Sequence, residues 1–110
     1  MKVVWLRKQY EAYWALQDAA WRLQAHAVNL KRYLRGVDAQ ALSALNDIER
    51  IAADISNAIG EGNFDKVKRL VEEAAQKRSI VARAMEKVDN EEARQSFLAM
   101  SDAIRELGGY

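Results

Sequence analysis

"YLRGVDAQALSAL", residues 33–45, decides how this chain folds. Gly36 stands at the end of a cationic stretch, Lys31, Arg32 and Arg35, and Asp38 then opens a new apolar rhythm. Cations suit the negative end of a helix dipole, glycine accommodates the left-handed residue that closes a helix, and aspartate caps the free amides of the next one. One helix therefore stops at Leu34 and another begins at Ala39. A connection this short forces the two to run antiparallel.

The same punctuation recurs along the chain. "GEGN", residues 60–63, places Gly60 after a second helix and Asn63 as the cap of a third. In "VDNEE", residues 88–92, Asp89 with Glu92 three positions on fits a capping box, and Val88 with Ala93 fits the hydrophobic staple. Helices are thus predicted over about 3–34, 39–59, 64–87 and 90–107, the last ending before Gly108 and Gly109. Each has an apolar stripe at 3-4 spacing. The stripes run Tyr13, Leu16, Ala20, Leu23, Ala27, Leu30, Leu34; Ala41, Leu45, Ile48, Ala52, Ile55, Ile59; Phe64, Val67, Val71, Ala74, Val81, Met85, Val88; and Ala93, Phe97, Met100, Ile104, Leu107. The expected fold is all-α, an antiparallel up-down four-helix bundle forming a single domain over 1–110, with a long, aromatic-rich first helix.

Composition agrees. The chain has 110 residues, half apolar and 30% charged, with no Pro and no Cys. Such a length buries roughly 65% of its unfolded surface, enough for a core without covalent staples. The absence of Cys excludes disulfides and thiolate chemistry. A net charge of +1 supplies no field to attract nucleic acid or an anionic membrane. Charge interrupts "MKVVWLRKQY" too early for a signal-peptide core, and no apolar run approaches the ~20 residues of a membrane span. The expectation is a soluble protein of the cytoplasm.

Candidate chemistry is sparse. His26 is the single histidine, placed at the edge of the first helix's apolar stripe. Histidine-phosphotransfer domains are also four-helix bundles with one exposed His and a nearby Lys, often as His-x-x-Lys-Gly. Here the run is "HAVNLKRYLRG", with Lys31 five positions after His26, close to the opposite side of the helix. This chain resembles that class in architecture and not in motif, so phosphotransfer or small-ligand binding is the alternative reading. Carboxylate-bridged metal sites in bundles want Glu-x-x-His pairs, and none occurs. Glu72–Glu73 and Glu91–Glu92 read as a solvated face and a first turn. The basic runs "KVKRL" and "KRYLR" are offset by acidic neighbours, so a nucleic-acid binder is a further and weaker alternative. No catalytic residue, metal or cofactor is expected.

Arg78 breaks the third stripe between Ala74 and Val81. Snorkelling, with the stem packed and the guanidinium in water, is the simpler account. A polar layer paired with Asp47 or Asp54 is the alternative.

The first helix has more apolar surface than a bundle needs. Beside its core stripe, Val3, Tyr10, Trp14, Trp21 and Val28 form a second sector turned by about 120–140°. Length adds to this. A first helix of about 32 residues spans roughly 48 Å, whereas a second of about 21 spans roughly 32 Å, so Ile59 comes level with Trp14 and the start of the first helix overhangs. The expected function is a non-enzymatic protein–protein interaction or assembly module. Its expected contact residues are Val3, Trp5, Leu6, Tyr10, Tyr13, Trp14 and Trp21, with a homodimer as the first expectation and a heterologous protein at the same aromatic face as the second.

Overall fold

The computed structural model describes residues 2–109, with side chains from residue 11 onward. Four helices make up the chain: α1 (Lys2–Leu34), α2 (Ala39–Gly60), α3 (Phe64–Met85) and α4 (Glu91–Gly108). They pack in a ring, α1 on α2, α2 on α3, α3 on α4 and α4 back on α1, with α3–α4 the slightest of the four interfaces. This is the up-down-up-down four-helix bundle. The turn at Gly36 and the turn between α3 and α4 lie at one end. The turn at Gly62 and the C-terminus of α4 lie at the other, where α1 continues beyond its neighbours. The molecule measures 54 × 24 × 17 Å, its long dimension set by α1.

The core is aliphatic and small-residue rich. Leu23, Leu30, Leu34, Leu45, Ile48, Ile51, Ile55 and Ile59 are fully buried, and alanines such as Ala19, Ala27, Ala44, Ala58, Ala74 and Ala103 let the backbones approach. Met100, Val81 and Leu107 complete it from α3 and α4. Ser96 is the one buried polar side chain among the described residues. Its hydroxyl accepts a 2.5 Å hydrogen bond from Asn29 Nδ2 on α1, so burial leaves it satisfied.

Several local expectations shift. The α2–α3 turn does not pivot on Gly60, which is the last residue of α2. Gly62 takes the left-handed conformation instead, at φ 73°. The Gly62 amide donates to Ile59 O (3.0 Å) and the Asn63 amide to Ala58 O (2.9 Å), the paired bonds of a Schellman motif. Gly36, at φ 77°, is left-handed as expected. α3 ends at Met85, two residues early, because Glu86, Lys87 and Val88 tighten into i→i+3 turns. The cap of α4 is Asn90, not Asp89: Asn90 Oδ1 accepts from the Ala93 amide at 3.0 Å, while Asp89 stands in solvent near Arg94. With that one-residue shift the capping box of Asp89 with Glu92 and the Val88–Ala93 staple both lapse.

Two stripe residues leave the core. Phe64 is 56% exposed and Tyr13 is 36% exposed, because both sit where the neighbouring helices have already ended. The α1 core begins at Leu16. Arg78 does not reach Asp47 or Asp54. It turns toward α4, where its Nε donates to Ser101 Oγ (2.6 Å) and its guanidinium lies 4.9 Å from the Phe97 ring centroid. Asp47 is taken by Lys77 at 3.1 Å. A half-buried polar layer across α3–α4 therefore exists, with a hydroxyl and a ring as partners instead of a carboxylate.

Candidate functional site

The second apolar sector of α1 is exposed along the described helix. Trp14 is 53% exposed, Trp21 74% and Val28 42%. They recur every seven residues, so they form one line down the side of α1 that points away from the core. Ala25, exposed between them, continues it.

Both flanks of this line are polar, and both are used inside the chain. On the α2 side, Gln17 Nε2 donates to Ser56 O (3.0 Å) and Ser56 Oγ donates back to Gln17 Oε1 (2.6 Å). About four turns further on, Lys31 Nζ is held by Glu49 (2.6 Å) and Asn46 (3.1 Å). On the α4 side, Arg22 pairs with Glu106 and with Asp18 (2.8 Å), Asn29 with Ser96, and Tyr33 Oη with Glu92 (2.6 Å). The bond to Glu106, then that to Asp18, raises the Arg22 pKa above its ordinary value against the opposing cost of burial. A surface helix ordinarily seams with apolar residues and turns polar ones outward. α1 seams with both, and its outer strip carries Trp14, Trp21, Ala25 and Val28 among the exposed charges of Glu11, Asp18 and Arg32.

At the upper end of the strip the rings make a shallow site. Tyr13 meets Trp14 edge to face, with centroids 5.6 Å apart at 86°. Tyr13, Trp14, Gln17, Asp18, Trp21 and Ser56 line an open depression of ≈ 360 Å³ over the α1–α2 seam. Gln17 Nε2 also donates a long bond to Tyr13 Oη (3.4 Å), which ties the ring end to the seam. Of the seven residues expected at a contact face, Tyr13, Trp14 and Trp21 are thus brought together. Val3, Trp5, Leu6 and Tyr10 belong to α1, and their side chains lie outside the described residues. Val28, already in the second sector, belongs to the same strip; Ala25 was not expected there.

His26 is half-buried at the edge of the α1 core stripe. Lys31, the cation the phosphotransfer resemblance would set beside it, is committed to Glu49 and Asn46 across the α2 seam. No cluster of three or more His, Asp or Glu side chains with metal-holding geometry occurs among the described residues. No helix among the described residues is long and apolar enough to cross a membrane. A second cleft, ≈ 350 Å³, opens at the Gly62 end between Leu16, Phe64, Val67, Val71 and Leu107.

Comparison with known protein families, curated proteins and solved structures gives no match to this chain.

Proposed function

We propose that this chain works by contact and not by chemistry, as an assembly module that self-associates through the outer strip of α1. The observation that carries this reading is the exposure of Trp14, Trp21 and Val28 in a single line whose polar flanks are already consumed by α2 and α4. Large aromatics bury about 150–250 Å² each when covered, and a contiguous uncovered stripe of them is unusual on a monomer. The overhanging start of α1 lengthens the available surface beyond the bundle itself, and "VVWLRKQY", residues 3–10, adds Val3, Trp5, Leu6 and Tyr10 to the helix that carries it.

The test is solution mass. Wild type at high micromolar concentration is expected to sediment as a dimer, and Trp14→Glu/Trp21→Glu as a folded monomer with unchanged helicity. Both substituted side chains lie on the exposed strip, so the bundle has no reason to unfold. A wild type that stays monomeric at that concentration would refute self-association.

A further inference from the structure

The strip has a direction as well as an apolar character, and the direction fixes how two copies meet. This step rests on the self-association reading. At 100° per residue, Glu11, Trp14, Asp18, Trp21, Ala25, Val28 and Arg32 fall within about 60° of one line along α1. The acidic members, Glu11 and Asp18, lie in the first half of the described strip and the basic member, Arg32, in the second. Glu11, Asp18, Ala25 and Arg32 are all exposed. We infer that two copies pack α1 against α1 antiparallel, with Trp21 close to the two-fold axis.

Register arithmetic selects this arrangement. An antiparallel pairing centred on residue 21 sets residue i beside residue 42 − i of the second copy. Trp21 then meets Trp21, and Trp14 meets Val28, so a large ring faces a smaller side chain twice, which lets the two rows interdigitate. Asp18 falls opposite Gln24, next to Ala25, and Glu11 falls opposite Lys31, next to the exposed Arg32. A parallel pairing in register does the reverse. It stacks Trp14 on Trp14 and opposes Glu11 to Glu11, Asp18 to Asp18 and Arg32 to Arg32, and like charges held opposite are repulsive. Charge therefore discriminates orientation even where apolar burial supplies the affinity.

Length supports the same register. Residues 8–34 of each α1 overlap, about 40 Å of helix at 1.5 Å per residue. A strip of that length and the width of one helix lies at the lower end of specific interfaces, so the contact is expected to be reversible and salt-sensitive. Residues 2–7 then reach the α1–α2 turn of the second copy, where Val37 is 41% exposed. The overhang thereby acquires a partner surface that its own bundle does not provide.

The chain has no Cys, so single cysteines report orientation cleanly. Asp18→Cys and Ala25→Cys are made as separate proteins, both on the exposed strip and both sparing the tryptophans. Mixed under mild oxidation, they are expected to form the 18–25 disulfide several-fold faster than either protein cross-links to itself. Self-cross-linking of each variant at equal or greater rate would overturn the antiparallel arrangement. A charge exchange gives the independent arm. Glu11→Arg alone and Arg32→Glu alone should each weaken the dimer several-fold, and an equimolar mixture of the two should restore it as a heterodimer. Dimeric wild type with no recovery in the mixture would refute the register and leave self-association standing; monomeric wild type would refute both.

Discussion

The two ends of the bundle are built differently. At the Gly36 end the chain closes on itself. Leu34 is fully buried, Asp38 caps α2 through the Ala41 amide (3.1 Å) and approaches Lys87 at 3.7 Å, and Tyr33 donates to Glu92 across to α4. At the Gly62 end Asn63 caps α3 through the Lys66 amide (3.2 Å), and Gln17–Ser56 and Arg22–Glu106 tie α1 to its neighbours, but the apolar side chains beyond them are less covered. Phe64 and Tyr13 are exposed, Leu16 and Leu107 border an open cleft, and α1 runs on past all three neighbours. A four-helix bundle with one end, the sealed one, more closely packed than the other is expected to draw more of its stability from the first, and the proposed contact strip begins at the second. Segments with few buried contacts are the ones free to serve a partner.

The largest expected effect measures that asymmetry directly. Leu34→Ala at the sealed end should cost about 3–5 kcal/mol, since a fully buried leucine leaves a cavity that rigid surroundings cannot fill. Leu16→Ala, beside the open cleft, should cost about 2 kcal/mol, because water and mobile neighbours can occupy the space. Urea unfolding of the two variants checks this, and equal losses would mean that the Gly62 end is as tightly packed as the other.

The next effect concerns the turn that begins the unsealed end. Gly62→Ala should destabilise by about 1 kcal/mol, since a Cβ is strained at a left-handed residue. Gly60→Ala should be neutral or stabilise by up to about 1 kcal/mol, because Gly60 is helical and a Cβ there meets nothing within 4 Å. A thermal melt that ranks the two in the opposite order would move the left-handed position back to residue 60.

This pair of glycines also shows where sequence reading stops. "GEGN" announces a helix end, but either glycine can supply it. The choice is made by whether the Asn63 amide reaches Ala58 O, which depends on how α3 docks. "DN" at 89–90 poses the same problem. Both residues can cap, and the Glu92 that follows favours Asp89 on pattern, yet Asn90 is the one whose carbonyl reaches a free amide. Arg78 shows a different limit. Its interruption of the stripe is visible from spacing alone, but its partner is set by which helix stands across from it, and that is α4 with Ser101 and Phe97. Tyr13 and Phe64 carry the right periodicity for a core and lose it because periodicity knows nothing of where neighbouring helices end. By contrast, the excess of apolar residues on α1 was readable as two sectors on one helix, and Trp14, Trp21 and Val28 occupy the second. What the sequence could not reveal is that Gln17, Lys31, Arg22 and Asn29 would be drawn into the seams and away from the strip.

An effect of similar size tests the entry to α4 at the sealed end. Asn90→Ala should cost about 1 kcal/mol, the usual loss for an unfilled helix cap. Asp89→Ala should stay within about 0.5 kcal/mol, as expected for a solvated side chain. A larger loss at Asp89 would restore the capping box.

The smallest effect is electrostatic, and it too belongs to the sealed end. Asp38 has its pKa held below the ordinary carboxylate value, first by the Ala41 amide it accepts from and further by Lys87, against the opposing effect of burial. A carboxyl with a depressed folded pKa contributes stability that is fully present above its unfolded value, about 3.9, and is lost as pH falls through the folded value. Tyr33 is displaced the other way, its pKa raised chiefly because its hydroxyl donates to Glu92. That contribution is fully present below the unfolded phenol value, about 10, and is lost as pH rises through the raised folded value. The sealed end should therefore loosen at both pH extremes. Asp38→Asn keeps an acceptor for the Ala41 amide while removing the titration, so it should flatten the acid limb of stability against pH and leave the neutral value little changed. Tyr33→Phe should flatten the alkaline limb alone. Protection of the amides around Ala41, relative to their intrinsic exchange at each pH, should fall on acidification in the wild type and not in Asp38→Asn. An acid limb of unchanged slope in Asp38→Asn would show that other carboxylates carry it and that the cap at Asp38 does not distinguish the two ends.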